Sequence, residues 1–187
     1  MKTKTLAAAV VLAAGLAATG AAQAAGKIYV GGKIGLLDVD PSGCVNCSFD
    51  PAFNVGAYGG YNMLGNDAHW DADLAGGTLA VEGEATLTVI KGDADVLGVT
   101  LGDWDMTNIA AYAAYRHPIT DAFYLKGKLG VARYKIETDF GASLGTETDL
   151  AAGIGAGWQV GPGSIEAEIT TYEGDILFVT AGFHMSF

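Results

Sequence analysis

Over its last twelve residues the chain alternates apolar with small or polar side chains almost without a break. Leu177, Val179, Ala181, Phe183, Met185 and Phe187 share one parity, and Ile176, Phe178, Thr180, Gly182, His184 and Ser186 share the other. Successive side chains of an extended strand point to opposite faces, so one face of this segment is wholly apolar and the other is mixed. The same dyad recurs in Leu79/Val81/Gly83/Ala85/Leu87/Val89 against Ala80/Glu82/Glu84/Thr86/Thr88, and in Ile165/Ala167/Ile169 against Glu166/Glu168/Thr170. It recurs again in Leu150/Ala152/Ile154/Ala156/Trp158/Val160 against Ala151/Gly153/Gly155/Gly157/Gln159, where the second face is nearly all small. The pattern predicts eight strands, near 27–38, 53–63, 78–91, 104–117, 122–138, 147–160, 164–173 and 175–187. Each of these reaches the ~9–11 residues that a tilted strand needs to cross a bilayer.

The connections support an up-and-down order. Pro118-Ile119-Thr120-Asp121 and Gly161-Pro162-Gly163 carry turn chemistry and join the fourth strand to the fifth and the sixth to the seventh. One connection fits poorly. Residues 64–77 (LGNDAHWDADLAGG) fall where a short turn is expected and are too long for one.

The first 25 residues have a different logic. Lys2 and Lys4 precede an apolar stretch from Leu6 to Ala18, and Ala22-Gln23-Ala24 is a small-residue cleavage site. Residues 1–24 therefore read as a signal peptide and 25–187 as the mature domain. No other segment offers the ~18 consecutive apolar residues of a spanning helix, so a helical membrane protein is excluded.

Composition sharpens this reading. Half of the residues are hydrophobic, 28 of 187 are glycine, and the formal net charge is −11; cleavage removes Lys2 and Lys4 and no acid, taking it to −13. Such acidity excludes nucleic acid as a partner, because phosphate binding needs a basic surface. A soluble lipocalin-like ligand-binding barrel could use the same alternation with its apolar face inward. The glycine content and the terminal aromatic favour a membrane barrel with that face outward.

The leader, the eight alternating segments and the ending GFHMSF resemble the small outer-membrane β-barrels of Gram-negative bacteria, above all the OmpA/OmpX-like, porin-like group. The stretches NVGAYGGYNM (54–63), LAVEGEATL (79–87) and FYLKGKLGVARYKIE (123–137) are similar to strands of that family. The resemblance implies an all-β, eight-stranded antiparallel up-and-down transmembrane barrel in the cell outer membrane, exported by its signal peptide. It implies that Phe187 is an assembly signal read by the barrel-assembly machinery. Outer-membrane lipids and lipopolysaccharide are the expected surroundings, host or environmental surface ligands the expected class of partner, and a monomer the expected state.

With the apolar face outward, strand parity sends Lys33, Glu82, Glu84, Arg116, Lys126, Lys128, Glu166 and Glu168 into the lumen. Four positive charges meet four negative ones in an interior just wide enough for side chains to fill. A buried charge left unpaired costs about 3–5 kcal/mol, so a salt-bridge plug is predicted. Arg133 and Lys135 share parity with the lipid-facing Leu125, Leu129 and Val131, but Arg133 lies ~26 Å along the strand from Leu125, which places it near the outer rim, where a basic side chain snorkels or meets lipopolysaccharide phosphates. Tyr61, Tyr115, Phe123, Trp158 and Phe187 form an expected inner aromatic girdle; Phe53, Trp104 and Phe140 are expected nearer the outer rim.

Cys44 and Cys47, in the first outer loop, read as a disulfide staple in an oxidising compartment. No cofactor and no metal set is read. Outer-loop acids (Asp38, Asp40, Asp50, Asp93, Asp95, Asp103, Asp105, Glu137, Asp139, Glu147, Asp149, Glu173 and Asp175) form a solvated acidic surface, and Asp93-Ala94-Asp95 lacks the spacing of a calcium loop. His184 and Ser186 share a face, but no carboxylate follows them to complete a triad. The expected function is non-enzymatic: envelope integrity and surface interaction through acidic extracellular loops. The runner-up is a narrow porin-like pore for ions or small solutes.

Overall fold

The computed structural model describes residues 27–40, 47–65, 68–97, 99–139, 143–172 and 175–187. The leader, Cys44, Phe140 and Glu173 lie outside the described residues. Ten strands form one antiparallel sheet: β1 (Ile28–Val39), β2 (Cys47–Phe49), β3 (Ala52–Gly65), β4 (Thr78–Ile90), β5 (Gly92–Val96), β6 (Val99–Pro118), β7 (Phe123–Thr138), β8 (Ser143–Val160), β9 (Gly163–Tyr172) and β10 (Ile176–Ser186). The eight long strands close a ring in chain order, with β1 on β10 and β6 on β7; the short β5 and β2 continue the sheet beyond β6 at one end. Among the described residues no helix is long and apolar enough to cross a membrane.

The register measures how far the strands lean. Following cross-strand partners from Tyr29 leads through Gly60, Glu82, Tyr112, Gly130, Ala151, Tyr172 and Ile176 and returns to β1 at Val39. One circuit thus climbs ten residues along β1 (39 − 29 = 10). At ~3.3 Å per residue and ~4.8 Å per strand, that stagger corresponds to a tilt of roughly 40°.

The two faces are those of a barrel in hydrocarbon. Ile34, Leu36, Val81, Ile109, Leu125, Leu129, Val131, Ile154, Ile165, Ile169, Val179 and Phe183 are all exposed on the outer surface. Such a continuous apolar exterior is incompatible with water, so the soluble lipocalin-like alternative is overturned. Phe123 and Trp158, cross-strand partners near the inner end, stand with ring centroids 6.3 Å apart in the aromatic girdle. Trp104 corrects an expectation. Its even parity on β6 is that of the lumen, and it is fully buried rather than facing lipid. The long connection after β3 is also explained. β3 runs on to Gly65 through a register shift between Asn62 and Leu64, and Leu64 bridges Trp70 in parallel, while the Tyr61 hydroxyl lies 2.8 Å from His69 Nδ1.

Small residues let large ones lie flat across the lumen wall. Tyr124 lies over its cross-strand partner Gly157, where a Cβ would enter the ring, and Tyr29 covers Gly60 in the same way. Gly157→Val is therefore expected to displace Tyr124 and to destabilise the barrel by about 1–3 kcal/mol in urea titrations of the protein in vesicles. Gly83→Ala is the control. Its Cβ would meet nothing, and the midpoint should stay put.

Candidate functional site

Five strands project the eight charged side chains into one layer of the lumen, because each lies on the even or odd parity its own strand turns inward. β1 supplies Lys33, β4 Glu82 and Glu84, β6 Arg116, β7 Lys126 and Lys128, and β9 Glu166 and Glu168. Seven of the eight residues are at most 5% exposed, and the Arg116 side chain reaches 12% at the inner end.

Every carboxylate meets at least two cations. Glu82 accepts from Lys126 at 2.8 Å and from Arg116 at 3.1 Å. Glu84 accepts from Lys33 at 2.7 Å and Lys128 at 3.1 Å. Glu166 accepts from Lys126 at 3.1 Å and from Arg116 Nε at 3.2 Å. Glu168 is the hub. It accepts from Lys33 at 2.8 Å, from Lys128 at 2.9 Å and, through its other oxygen, from Lys126. In a water-poor lumen each charge would carry a large desolvation penalty alone, and this mutual pairing offsets it.

The charges are not the whole of the network. Tyr29 donates to Glu82 at 2.8 Å and Tyr124 donates to Glu166 at 2.7 Å. Arg116 sits 4.2 Å from the Tyr29 ring centroid, Lys33 4.6 Å from that of Tyr58, and Lys128 4.4 Å from that of Tyr112. These rings supply cation–π contacts in a desolvated setting, where such contacts are strongest. Reasoning from charge alone passed over these tyrosines. Their lumen parity beside cross-strand glycines was the available signal.

His184 joins the same cluster rather than Ser186. Its Nδ1 lies 3.0 Å from the Tyr58 hydroxyl, and it stands 3.8 Å from Glu166, whereas Ser186 is exposed. The imidazole thus faces Tyr58 and Glu166 rather than Ser186. Among the described residues no cluster of His, Cys, Asp or Glu could hold a metal ion.

Above the charged layer the lumen holds a few buried polar side chains, among them Asn54, Thr86 and Asn108, and an apolar cluster. Leu37, Val39, Trp104, Met106, Ile136, Ile176 and Phe178 pack in a buried cluster at the outer end. Trp104 donates its indole N–H to the Asp50 carbonyl at 3.1 Å and meets Phe49 edge-on at 6.1 Å. The loop strands β2 and β5 are thereby tied down onto the barrel, and Ala94 of β5 is buried in the same cluster. The lumen is thus filled twice, by ion pairs across its middle and inner part and by an apolar cap at its outer end.

The outer rim carries the acid. Lys91 bonds Asp139 at 2.7 Å and Asp105 at 3.0 Å, and those bonds raise its pKa. Lys135 pairs with Glu137 at 2.8 Å, and Tyr134 donates to Asp149 at 2.6 Å. Arg133 is exposed beside them on the outward face. The Cys44–Cys47 staple falls outside the described residues, since Cys44 lies among residues 41–46 and Cys47 is described by its backbone alone. Phe187 is half-buried; its N–H donates to the Ile28 carbonyl at 2.8 Å, which ties the terminus to the first strand.

Comparison with known proteins places this architecture. The OprG outer membrane protein of Pseudomonas aeruginosa is similar at 15% identity and a TM-score of 0.62, covering 87% of this chain and 96% of that one. Neisserial surface protein A is similar at 15% identity and a TM-score of 0.56, over 86% and 97% of the two chains. Ail, the attachment invasion locus protein of Yersinia pestis, is similar at 19% identity and a TM-score of 0.50, over 87% and 97%. At these identities the likeness is one of fold. No curated protein matches the chain. The family model of the outer membrane protein beta-barrel domain matches residues 6–175. A closed eight-stranded ring, an apolar exterior, a charge-filled lumen and that match over most of the chain lead to one conclusion: the chain belongs to the outer-membrane β-barrel family and is an outer-membrane protein.

Proposed function

We propose that the protein is a closed, non-enzymatic barrel that contributes to envelope integrity and presents its acidic outer loops as an interaction surface. The observation that carries this reading is the double filling of the lumen. Glu168 alone binds three lysines across the barrel, and the buried cluster around Trp104 packs above it. A barrel whose interior is committed to its own packing acts through its rims. The lipid-facing band and the rim cations Arg133 and Lys135 suit a monomer surrounded by lipid and lipopolysaccharide, whose phosphates basic side chains bind well.

Three further assignments belong to the same proposal. Residues 1–24 are the export signal, Phe187 is the assembly signal for the barrel-assembly machinery, and Cys44 with Cys47 staples the first outer loop. The alternative, a narrow pore, is tested by conductance. Protein reconstituted in planar bilayers is expected to give a flat baseline, and Glu82→Gln and Lys128→Met variants are expected to do the same. Discrete conductance steps in the wild type, altered by either substitution, would establish the pore instead.

A further inference from the structure

The lipid-facing wall is not smooth. An open groove of about 600 Å³, lined almost wholly by apolar groups, crosses its β6–β10 side. Ala113, Gly127 and Ala152 turn outward and make its floor, while Leu129, Ile154 and Leu177 stand up as its walls. A Cβ on Gly127 would meet nothing within 4 Å, so the floor is open there. Lys128, whose ammonium is bonded within the lumen, and Gly153 complete the lining.

The strand register gives the groove its course. Ala113, Leu129, Ala152, Thr171 and Leu177 are successive cross-strand partners from β6 to β10. Four interstrand steps of ~4.8 Å make a path of roughly 19 Å, and the stagger of the ring makes it climb from the inner side toward the outer. Its two ends differ. Tyr115, near the inner end of β6, closes the lower one. The Tyr115 hydroxyl donates to the Leu74 carbonyl at 2.7 Å and its ring stacks on His117, so this lip is held in place by the protein itself. At the upper end Leu177 is the cross-strand partner of Asp38, which is exposed. Among the described residues, the outward positions of β8, β9, β10 and β1 carry no cation at that rim. Arg133 and Lys135 stand on β7, three strands from β10.

We infer that this groove is a binding site for one acyl chain of an inner-leaflet phospholipid, whose headgroup sits at Tyr115 and His117. The groove is continuous with the wall that meets lipid, so its occupant is hydrocarbon. Charge selects the leaflet. Asp38 at the upper end repels the phosphates of lipopolysaccharide, whereas the lower end offers a tyrosine and an imidazole, the amphipathic rings that suit the headgroup level. Within hydrocarbon, packing rather than a hydrophobic force decides which contacts persist. A chain held between the walls gains dispersion contacts that a chain on a convex surface lacks. The site is independent of the outer loops and of the interaction surface proposed for them.

The test uses the full mature protein in vesicles of phosphatidylethanolamine and phosphatidylglycerol. These are doped with a phosphatidylethanolamine carrying a photoactivatable diazirine midway along one acyl chain, and adducts are mapped by mass spectrometry. Labelling is expected to be about fivefold higher at residues 113–115, 127–129 and 152–154 than on the wall around Ile34, Val55 and Leu87. Gly127→Leu/Ala152→Leu fills the floor and should bring the groove down to the level of that wall, with heat-modifiable gel migration unchanged. Gly83→Leu, a like change on β4, should leave the groove labelling as it is. Ala113→Leu should lower it about twofold and serves where the double variant does not fold. Even labelling around the barrel would overturn the inference and leave ordinary lipid contact only. Groove labelling that survives the double variant would overturn it as well. In vesicles with lipopolysaccharide confined to the outer leaflet, labelling by a diazirine-bearing lipid A in place of the phospholipid would give the groove to the other leaflet and also overturn it.

Discussion

Glu168→Gln is expected to lower the stability of the folded barrel by about 3–5 kcal/mol, the usual cost of removing one partner from a buried ion-paired set. Glu168 holds Lys33, Lys126 and Lys128 together, and the substitution leaves the lumen with four cations against three carboxylates. Lys126 retains Glu82 and Glu166, but Lys33 and Lys128 are then left to share the single carboxylate of Glu84. The measurement is the urea midpoint of folded barrel in lipid vesicles, read by the heat-modifiable shift in gel migration. A companion variant isolates the cause. Glu168→Gln/Lys128→Met restores the balance at three against three and should recover a good part of the loss. If the double variant is as unstable as the sum of the two single variants, charge balance is not what holds the layer.

Trp104→Ala is expected to cost about 3–5 kcal/mol, for a different reason. Trp104 is fully buried at the centre of the outer cap, so its removal leaves a cavity among Leu37, Met106, Ile136 and their neighbours. It also strips the Asp50 carbonyl of its donor and β2 of its contact through Phe49. Because β5 and β2 pair only at this end, the loss should appear there first. Protease cleavage between residues 92 and 101 should become fast while the charged layer still resists denaturant. Trp104→Phe, which keeps an aromatic ring in the cap but loses the second ring and the N–H donor, should restore part of the protection. Equal protease resistance in Trp104→Ala would show that the hairpin is held by its backbone pairing alone.

The two variants probe two seals built on different physics. The charged layer gains its stability from pairing, so replacing both members of a pair is far milder than replacing one. The apolar cap gains its stability from packing, so volume decides the cost.

How much of this was legible in the sequence differs from residue to residue. Lys126, Lys128, Glu166 and Glu168 alternate with Leu125, Leu129, Ile165 and Ile169, and a period of two leaves one way to sort them between water-poor lumen and lipid. Trp104 was harder. It lies on the outermost part of β6, where both parities carry large or charged residues, and aromatic character alone pointed to the membrane rim. The cap as a whole was hidden for the same reason. Ile176 and Phe178 read as exceptions to a mixed face, although together with Leu37, Met106 and Ile136 they form one cluster. The strands β2 and β5 gave no periodic signal at three and five residues, and they exist because β6 continues past the barrel and offers them an edge.

The sequence by itself therefore determined the number of long strands, which face meets lipid, and the sign and number of the charges in the lumen. All three follow from alternation and hydropathy, which are local properties of an extended chain. Only the tertiary structure decided which charges meet. Lys126 reaches Glu82, 44 positions away, because one circuit of partners climbs ten residues and the lumen is narrow enough for side chains from opposite walls to touch. Stagger and closure are properties of the whole ring, and no single strand encodes them. The apolar cap likewise exists only where distant segments are brought to one end of that ring.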